Sequence, residues 1–277
     1  IQFLVLPINI VLSWILIFGK LGFPVLAVNG AALASTICLW LTAGLLLVYV
    51  ATAGRYHHLK LFRDFSRPSL IAIGKLARLG LPVAGLLILE AGFFNAIALM
   101  MGSLGQIALA AHNIVMNYVT LIFMVPVGLA NALMVRVGQA VGESGVAEAR
   151  FRGLVGIGVA SGAMVVSALM IVMFSQAIIG LYTADPSVAA TAAVLLVCAA
   201  LFQLSDGIQI TSAGALRGLQ DTNVPMFISG GAYWLVGVPT SWWLGIYLER
   251  GPFGLWLGLI LGLTVGAALL GGRFLLK

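Results

Sequence analysis

Two carboxylates stand inside otherwise apolar stretches. Glu90 closes the run Leu86-Leu-Ile-Leu-Glu90, and Asp206 sits within Phe202-Gln-Leu-Ser-Asp-Gly-Ile-Gln209. A charged carboxylate at membrane depth costs at least a few kcal/mol, so such groups usually face a cavity and mark the path of an ion or proton. Each can exchange H⁺ or hold Na⁺ together with hydroxyl and carbonyl oxygens. Gln203, Ser205 and Gln209 crowd the same segment, and Gln203 and Gln209 stand three residues either side of Asp206, hence on related helix faces. Phe202, four residues earlier, shares that face. A second polar group, His112, Asn113, Asn117, Tyr118 and Thr120, lies in another apolar run. His112 reads equally as a satisfied structural histidine or as a proton-linked group. Polar residues also bind helices to one another, so packing is the simpler reading of any single Asn or Ser. No Lys or Arg stands at similar depth to neutralise either acid. The sequence has no HExxH, CxxC or GxSxG and no convergent His, Asp or Glu at ligand spacing, so it predicts no enzyme, no cofactor and no metal beyond Na⁺ at the two acids.

The elements that must position these residues follow from composition. The chain has 277 residues, of which 62% are apolar and 8% charged, with a mean hydropathy of +1.14. Soluble proteins have roughly 45–50% and about 25%. Its 22 charged residues cannot cover a 29 kDa globule in water, so the fold class is all-α integral membrane. A disordered chain, a collagen, a disulfide scaffold and a nucleic-acid binder are excluded. Cys38 and Cys198 lie alone in apolar stretches and suit packing. A β-barrel would show short segments of alternating polarity, and none is visible. A bilayer needs about 20 mostly apolar residues per helix. Eight stretches qualify: 1–18, 26–50, 81–101, 107–133, 154–175, 187–214, 226–247 and 253–272. Prolines 7, 126 and 239 fall within spans, where each removes a backbone hydrogen bond and favours a kink.

Placing the first span's start in the cytoplasm puts 12 of the 14 basic residues inside, leaving Lys20 and Arg250 outside. That asymmetry sets the orientation and puts the C-terminus in the cytoplasm. The longest loop, 54–80, carries six basic residues with His57 and His58, and its second half patterns as a short helix in the headgroup region. We read 1–53 as two helices of one lobe, 54–80 as a cytoplasmic linker and 81–277 as a six-helix lobe. Pro7–Ala31 and Pro239–Gly262 share a plan: a Pro-headed span, a Gly-rich turn and a Gly-rich helix. Both run outward and back, as in parallel repeats. The first half then lacks four helices, which are expected upstream.

Two passages carry a resemblance. One is Leu109-Ala-Ala-His-Asn-Ile-Val-Met-Asn117, continuing through Phe123-Met-Val-Pro-Val-Gly128 to Arg136-Val-Gly-Gln-Ala-Val-Gly142. The other runs from Ser205-Asp-Gly-Ile-Gln209 through Gly214-Ala-Leu-Arg-Gly-Leu-Gln-Asp-Thr222 to Tyr233-Trp-Leu-Val-Gly-Val-Pro239. Together they resemble the multidrug and toxic compound extrusion (MATE) family, in its NorM-like branch, as helices five to twelve of a twelve-helix, two-lobe transporter. The resemblance implies a monomeric, multi-pass inner-membrane antiporter that exports organic cations by alternating access, driven by H⁺ or Na⁺. It implies cation coupling at Glu90 and Asp206, which match the branch's acids on the seventh and tenth helices. Phe202 matches a position that is Tyr in some members, where the hydroxyl helps hold the cation, so one sodium ligand is lost here. Gln203, Ser205 and Gln209 then line the cation site or cavity, and His112, Asn113, Asn117 and Asp185 are candidate substrate contacts. Asp185 equally suits helix initiation, in Asp185-Pro186. Two other readings are a lipid-linked oligosaccharide flippase, which would require a strongly basic cavity, and a membrane-embedded transferase, which would require convergent polar groups near a membrane face.

Overall fold

A computed structural model describes residues 2–22, 24–54 and 69–277. All the regular structure among them is helical: α1 (Gln2–Phe18), α2 (Ala27–Thr52), α3 (Leu70–Ser103), α4 (Gln106–Glu143), α5 (Val146–Gly180), α6 (Pro186–Gly218), α7 (Asn223–Gly231), α8 (Val238–Trp242) and α9 (Gly251–Leu275). Two π-helical segments, Ala232–Gly237 and Trp243–Tyr247, flank α8 and make residues 223–247 one continuous helical run. Six helices, α2 to α6 and α9, are long and apolar enough to cross a bilayer. This is a multipass membrane protein. The 17-residue α1 and the run 223–247 are not among those six.

Contacts divide the chain into two units, Ile1–Ser69 and Leu70–Lys277. In the first, α1 and α2 approach closely at Gly30, where even a Cβ would sit 2.5 Å from the Leu16 carbonyl oxygen. Ala34 and Cys38 are buried there, and Cys38 is a free thiol, as its apolar context predicts.

In the second unit α6 is the central helix, its side chains buried on several faces among α4, α5 and α9. Phe93, Ile97, Phe202, Tyr233 and Trp256 anchor one core cluster, and Leu133, Val137, Leu216, Leu270 and Phe274 anchor a second. By contrast, α5 leaves Leu169, Met170, Val172 and Met173 exposed, the surface expected of a helix solvated by lipid.

Several boundaries differ from the sequence reading. The short headgroup helix expected in the second half of loop 54–80 is the beginning of α3, which is continuous from Leu70 through Pro82. Apart from Gly74 and Gly80, residues 70–81 are Leu, Ile, Ala, Lys and Arg, which are compatible with a helix, and no proline stands among them to stop it. His57, His58 and the basic residues 55–67 of that loop lie outside the described residues. Between α4 and α5 the expected loop 134–153 is almost entirely helical. At 38 residues, α4 is about 57 Å long and outruns a 30 Å hydrocarbon core. The turn to α5 is made by Ser144 and Gly145, the latter at φ 90°, a conformation that glycine adopts without strain.

The prolines act unequally. Pro126 lies inside an unbroken α4. The one kinked position within a described helix is Phe174 in α5 (φ −114°, ψ 16°), with no proline beside it. Pro239 follows the first π segment, where the Val238 N–H reaches the Tyr233 carbonyl five residues back. The missing N–H of Pro239 leaves the Leu235 carbonyl without its usual donor, and the wider register accommodates the loss.

Candidate functional site

One stripe of α6 organises the site. Phe202, Asp206, Ile210, Ala213 and Arg217 recur at intervals of four, four, three and four, the helical period, and so share a face. Phe202, Asp206, Ile210 and Arg217 line a cavity of about 580 Å³ with Glu90 and Phe94 of α3 and Met116, Phe123 and Asn131 of α4. Phe202 is 1% exposed and meets Phe94 edge-on at 6.0 Å and Trp256 at 5.8 Å. The cavity wall is therefore aromatic and thioether-rich, with charge confined to three groups.

Glu90 and Asp206 also meet in a second, much smaller cavity of about 10 Å³, lined by Leu86, Gln209, Ile210, Ala213 and Ser229 as well. That is room for about one water or one bare ion. The two carboxyls lie within electrostatic reach of one another. Gln209 donates from Nε2 to the Tyr233 hydroxyl, while its Oε1 is buried without a hydrogen-bond partner. The Tyr233 ring is held by stacking on Phe93 at 5.0 Å and 5°. Glu90, Asp206 and Gln209 thus line an ion-sized space that shares Glu90, Asp206 and Ile210 with a drug-sized one.

Arg217, one of the twelve basic residues placed on the cytoplasmic side by the charge split, corrects the expectation that no Lys or Arg stands at similar depth to neutralise either acid, since it lines the same cavity. The helix runs on to Gly218, so Arg217 is half-buried in the cavity, with one terminal nitrogen unpartnered and its charge in electrostatic reach of Glu90. Side chains on a helix lean toward its N-terminus, here toward Asp206. The period-3.6 stripe carried that signal in the sequence. With both acids ionised, two carboxylates against one guanidinium leave the cavity at net −1.

The remaining candidates scatter. Gln203 faces α5, where its Oε1 accepts from Ser167 Oγ at 3.1 Å, so it does not share the face of Gln209. Six residues along a helix turn a side chain by about 600°, which leaves the two about 120° apart. Ser205 pairs with Thr264 Oγ1 at 2.8 Å on the α9 side. His112 is buried against the edge of Trp256 at 5.8 Å, outside both cavities around Glu90. Asn113 and Asn117 lie on an open face of α4, in a depression that shares Met116, Thr120 and Met124 with the 580 Å³ cavity. Asn117 Oδ1 accepts from the Tyr182 hydroxyl at 3.2 Å. Asp185 caps α6: its Oδ1 accepts from Ser187 Oγ at 2.6 Å and from the backbone N–H of Ser187 at 2.8 Å and Val188 at 3.4 Å. Those bonds, led by the Ser187 hydroxyl, hold its carboxyl below the ordinary value. Among the described residues no three His, Cys, Asp or Glu side chains form a metal-binding group.

Comparison with known proteins gives a consistent picture. Residues 82–243 match the MatE family model. The chain is 45% identical over 262 residues to the probable multidrug resistance protein NorM of Xanthomonas axonopodis pv. citri, covering 95% of this chain and 57% of that protein. It is 40% identical over 277 residues to the multidrug resistance protein NorM of Vibrio vulnificus, covering 99% of this chain and 61% of that protein. It therefore spans less than two thirds of the length of the curated relatives it matches. Among solved structures it is similar to the eukaryotic MATE transporter AtDTX14, with a TM-score of 0.88 at 23% identity, covering 99% of this chain and 60% of that one. An outward-facing multidrug resistance MATE family transporter gives a TM-score of 0.81 at 23% identity, covering 98% and 59%.

Proposed function

The chain belongs to the MatE family, and from that premise we propose that it forms part of an inner-membrane antiporter exporting amphipathic organic cations against inward H⁺ or Na⁺. The observation that supports this most is the shared position of Glu90 and Asp206, at once in the ion-sized cavity and in the 580 Å³ cavity. A coupling ion and a cationic drug then draw on the same negative charge. Occupation by one lowers the attraction for the other, and alternating access converts that competition into exchange. Phe202 offers no oxygen, so H⁺ is favoured over Na⁺ as the coupling ion. The flippase reading fares worse, because acids outnumber the single Arg217 in the cavity and a pyrophosphate would meet net negative charge.

Ethidium efflux from vesicles with separately imposed gradients tests the proposal. An inward H⁺ gradient should accelerate efflux several-fold and an inward Na⁺ gradient less. Efflux indifferent to both gradients would refute cation coupling.

We further propose that α1 and the run 223–247 cross the bilayer, giving eight spans with the α5–α6 turn outside and the C-terminus in the cytoplasm, on the 12-to-2 split of basic residues. A cysteine replacing Ser187 should then react with an impermeant maleimide added to intact cells. Reaction only after permeabilisation would invert the topology.

A further inference from the structure

Away from both of those cavities, the α4–α5 hairpin carries a cleft of about 500 Å³. Its lining is ordered by distance from the Ser144–Gly145 turn. Glu148 comes first. Arg136 and Arg152 follow at one level, with Phe151 beside them, seven residues before the end of α4 and six after the start of α5, or about 9–11 Å from the turn-side end of each helix. Beyond them the lining is apolar: Leu133 and Val155, then Leu129 and Val159. Gly156 sets the depth, since a Cβ there would stand 2.4 Å from Leu133 Cδ1, so the two helices touch along the cleft. Polar at the turn end and apolar toward mid-membrane, the cleft has the polarity order of a lipid molecule.

Its charges match as well. Glu148 Oε1 accepts from Arg152 Nε at 2.7 Å, which fixes the guanidinium and leaves its terminal nitrogens free for another acceptor. Among the described residues Arg136 has no carboxylate within ion-pair distance. Two guanidiniums and one carboxylate sum to +1, the complement of one phosphodiester. We propose that this cleft binds an anionic membrane phospholipid, with its phosphate between Arg136 and Arg152 and an acyl chain laid along Val155 and Val159. Basic pockets between helices at a membrane face hold such headgroups. The inference does not depend on the efflux reading, since neither Glu90 nor Asp206 takes part.

Native mass spectrometry of the protein in detergent, titrated with dioleoyl-phosphatidylglycerol or dioleoyl-phosphatidylcholine, tests it. The chains are identical, so any difference reports the headgroup. Phosphatidylglycerol should bind at least ten-fold more tightly, and Arg136→Gln with Arg152→Gln should cut that preference to two-fold or less. Val155→Trp, which fills the cleft and keeps both arginines, should weaken phosphatidylglycerol binding about ten-fold, and it serves if the double variant does not fold. Equal binding of the two lipids by the unaltered protein would overturn the proposal. So would a preference that survives both arginine replacements, or a phosphatidylglycerol affinity that Val155→Trp leaves unchanged. Inorganic phosphate binding as tightly as the lipid would overturn it too, because the apolar wall would then contribute nothing.

Discussion

In the whole transporter of which we propose this chain forms part, replacing Glu90 with Gln, or Asp206 with Asn, should reduce gradient-driven ethidium efflux at least ten-fold while the protein still reaches the membrane. Both replacements are nearly isosteric, so the packing of α3 against α6 and α7 survives and the change is one of charge. The consequence follows from the cavity's charges. Glu90 and Asp206 against Arg217 leave net −1 when both acids are ionised, enough to attract one monovalent cation. Remove one acid and the sum is zero. The cavity then draws neither the drug nor the coupling ion electrostatically, and it no longer discriminates between a loaded and an empty state. A ligand moves a conformational equilibrium only through its differential affinity for the two states. Ethidium binding in detergent should fall less than transport does, because the apolar wall around Phe94, Met116 and Phe123 remains. Efflux by both variants at the unaltered rate, at equal expression, would return the two acids to a packing role.

Much of this site was legible in the sequence because the bilayer makes an isolated carboxylate conspicuous. Glu90 and Asp206 stand out for the cost of placing them there, and the structure brings them to one cavity although 116 residues separate them. Arg217 escaped notice for the converse reason. It lies at the end of its span, where basic residues are expected as topology signals, and only the α6 stripe through Ile210 and Ala213 tells that it points inward. Gln203 and Gln209 each stand three residues from Asp206, yet the two positions diverge by a third of a turn, so only Gln209 lines the ion-sized cavity. Hydropathy located the centres of the six long helices α2 to α6 and α9. It did not locate their ends: the amphipathic extensions of α3 and α4 beyond the hydrocarbon lose the apolar run but keep helix-forming residues. Nor could proline content locate the Phe174 kink.

Glycine spacing makes the second large expectation: Gly258→Ala should lower the thermal unfolding midpoint in detergent by about 5 °C or more. Along α9, Gly254, Gly258, Gly262 and Gly266 recur every fourth residue and so form one face. On the facing run 238–245 a Cβ at Gly258 would lie 2.2 Å from the Ser241 nitrogen and 2.4 Å from its Cα, and one at Gly254 would lie 2.5 Å from the Leu244 oxygen. These are backbone atoms, so no rotamer change relieves the clash and the helices must separate. Separation also strains the buried bond from Ser241 Oγ to the Leu255 carbonyl at 3.0 Å. Overpacking costs about 1–3 kcal/mol and an orphaned buried group about the same again. At about 2–4 °C per kcal/mol for a chain of this size, the shift is readily measured. Gly158→Ala is the control. It faces open space in α5, where alanine should be neutral or slightly stabilising through helix propensity. A midpoint unchanged by Gly258→Ala would show that α9 and its neighbour are free to part. The same glycine row reaches the ion-sized cavity at its far end. Gly266 leaves 3.0 Å between an added Cβ and Gln209 Oε1, so the close helix approach that stabilises the lobe also holds the side chain of Gln209, which lines that cavity with Glu90 and Asp206.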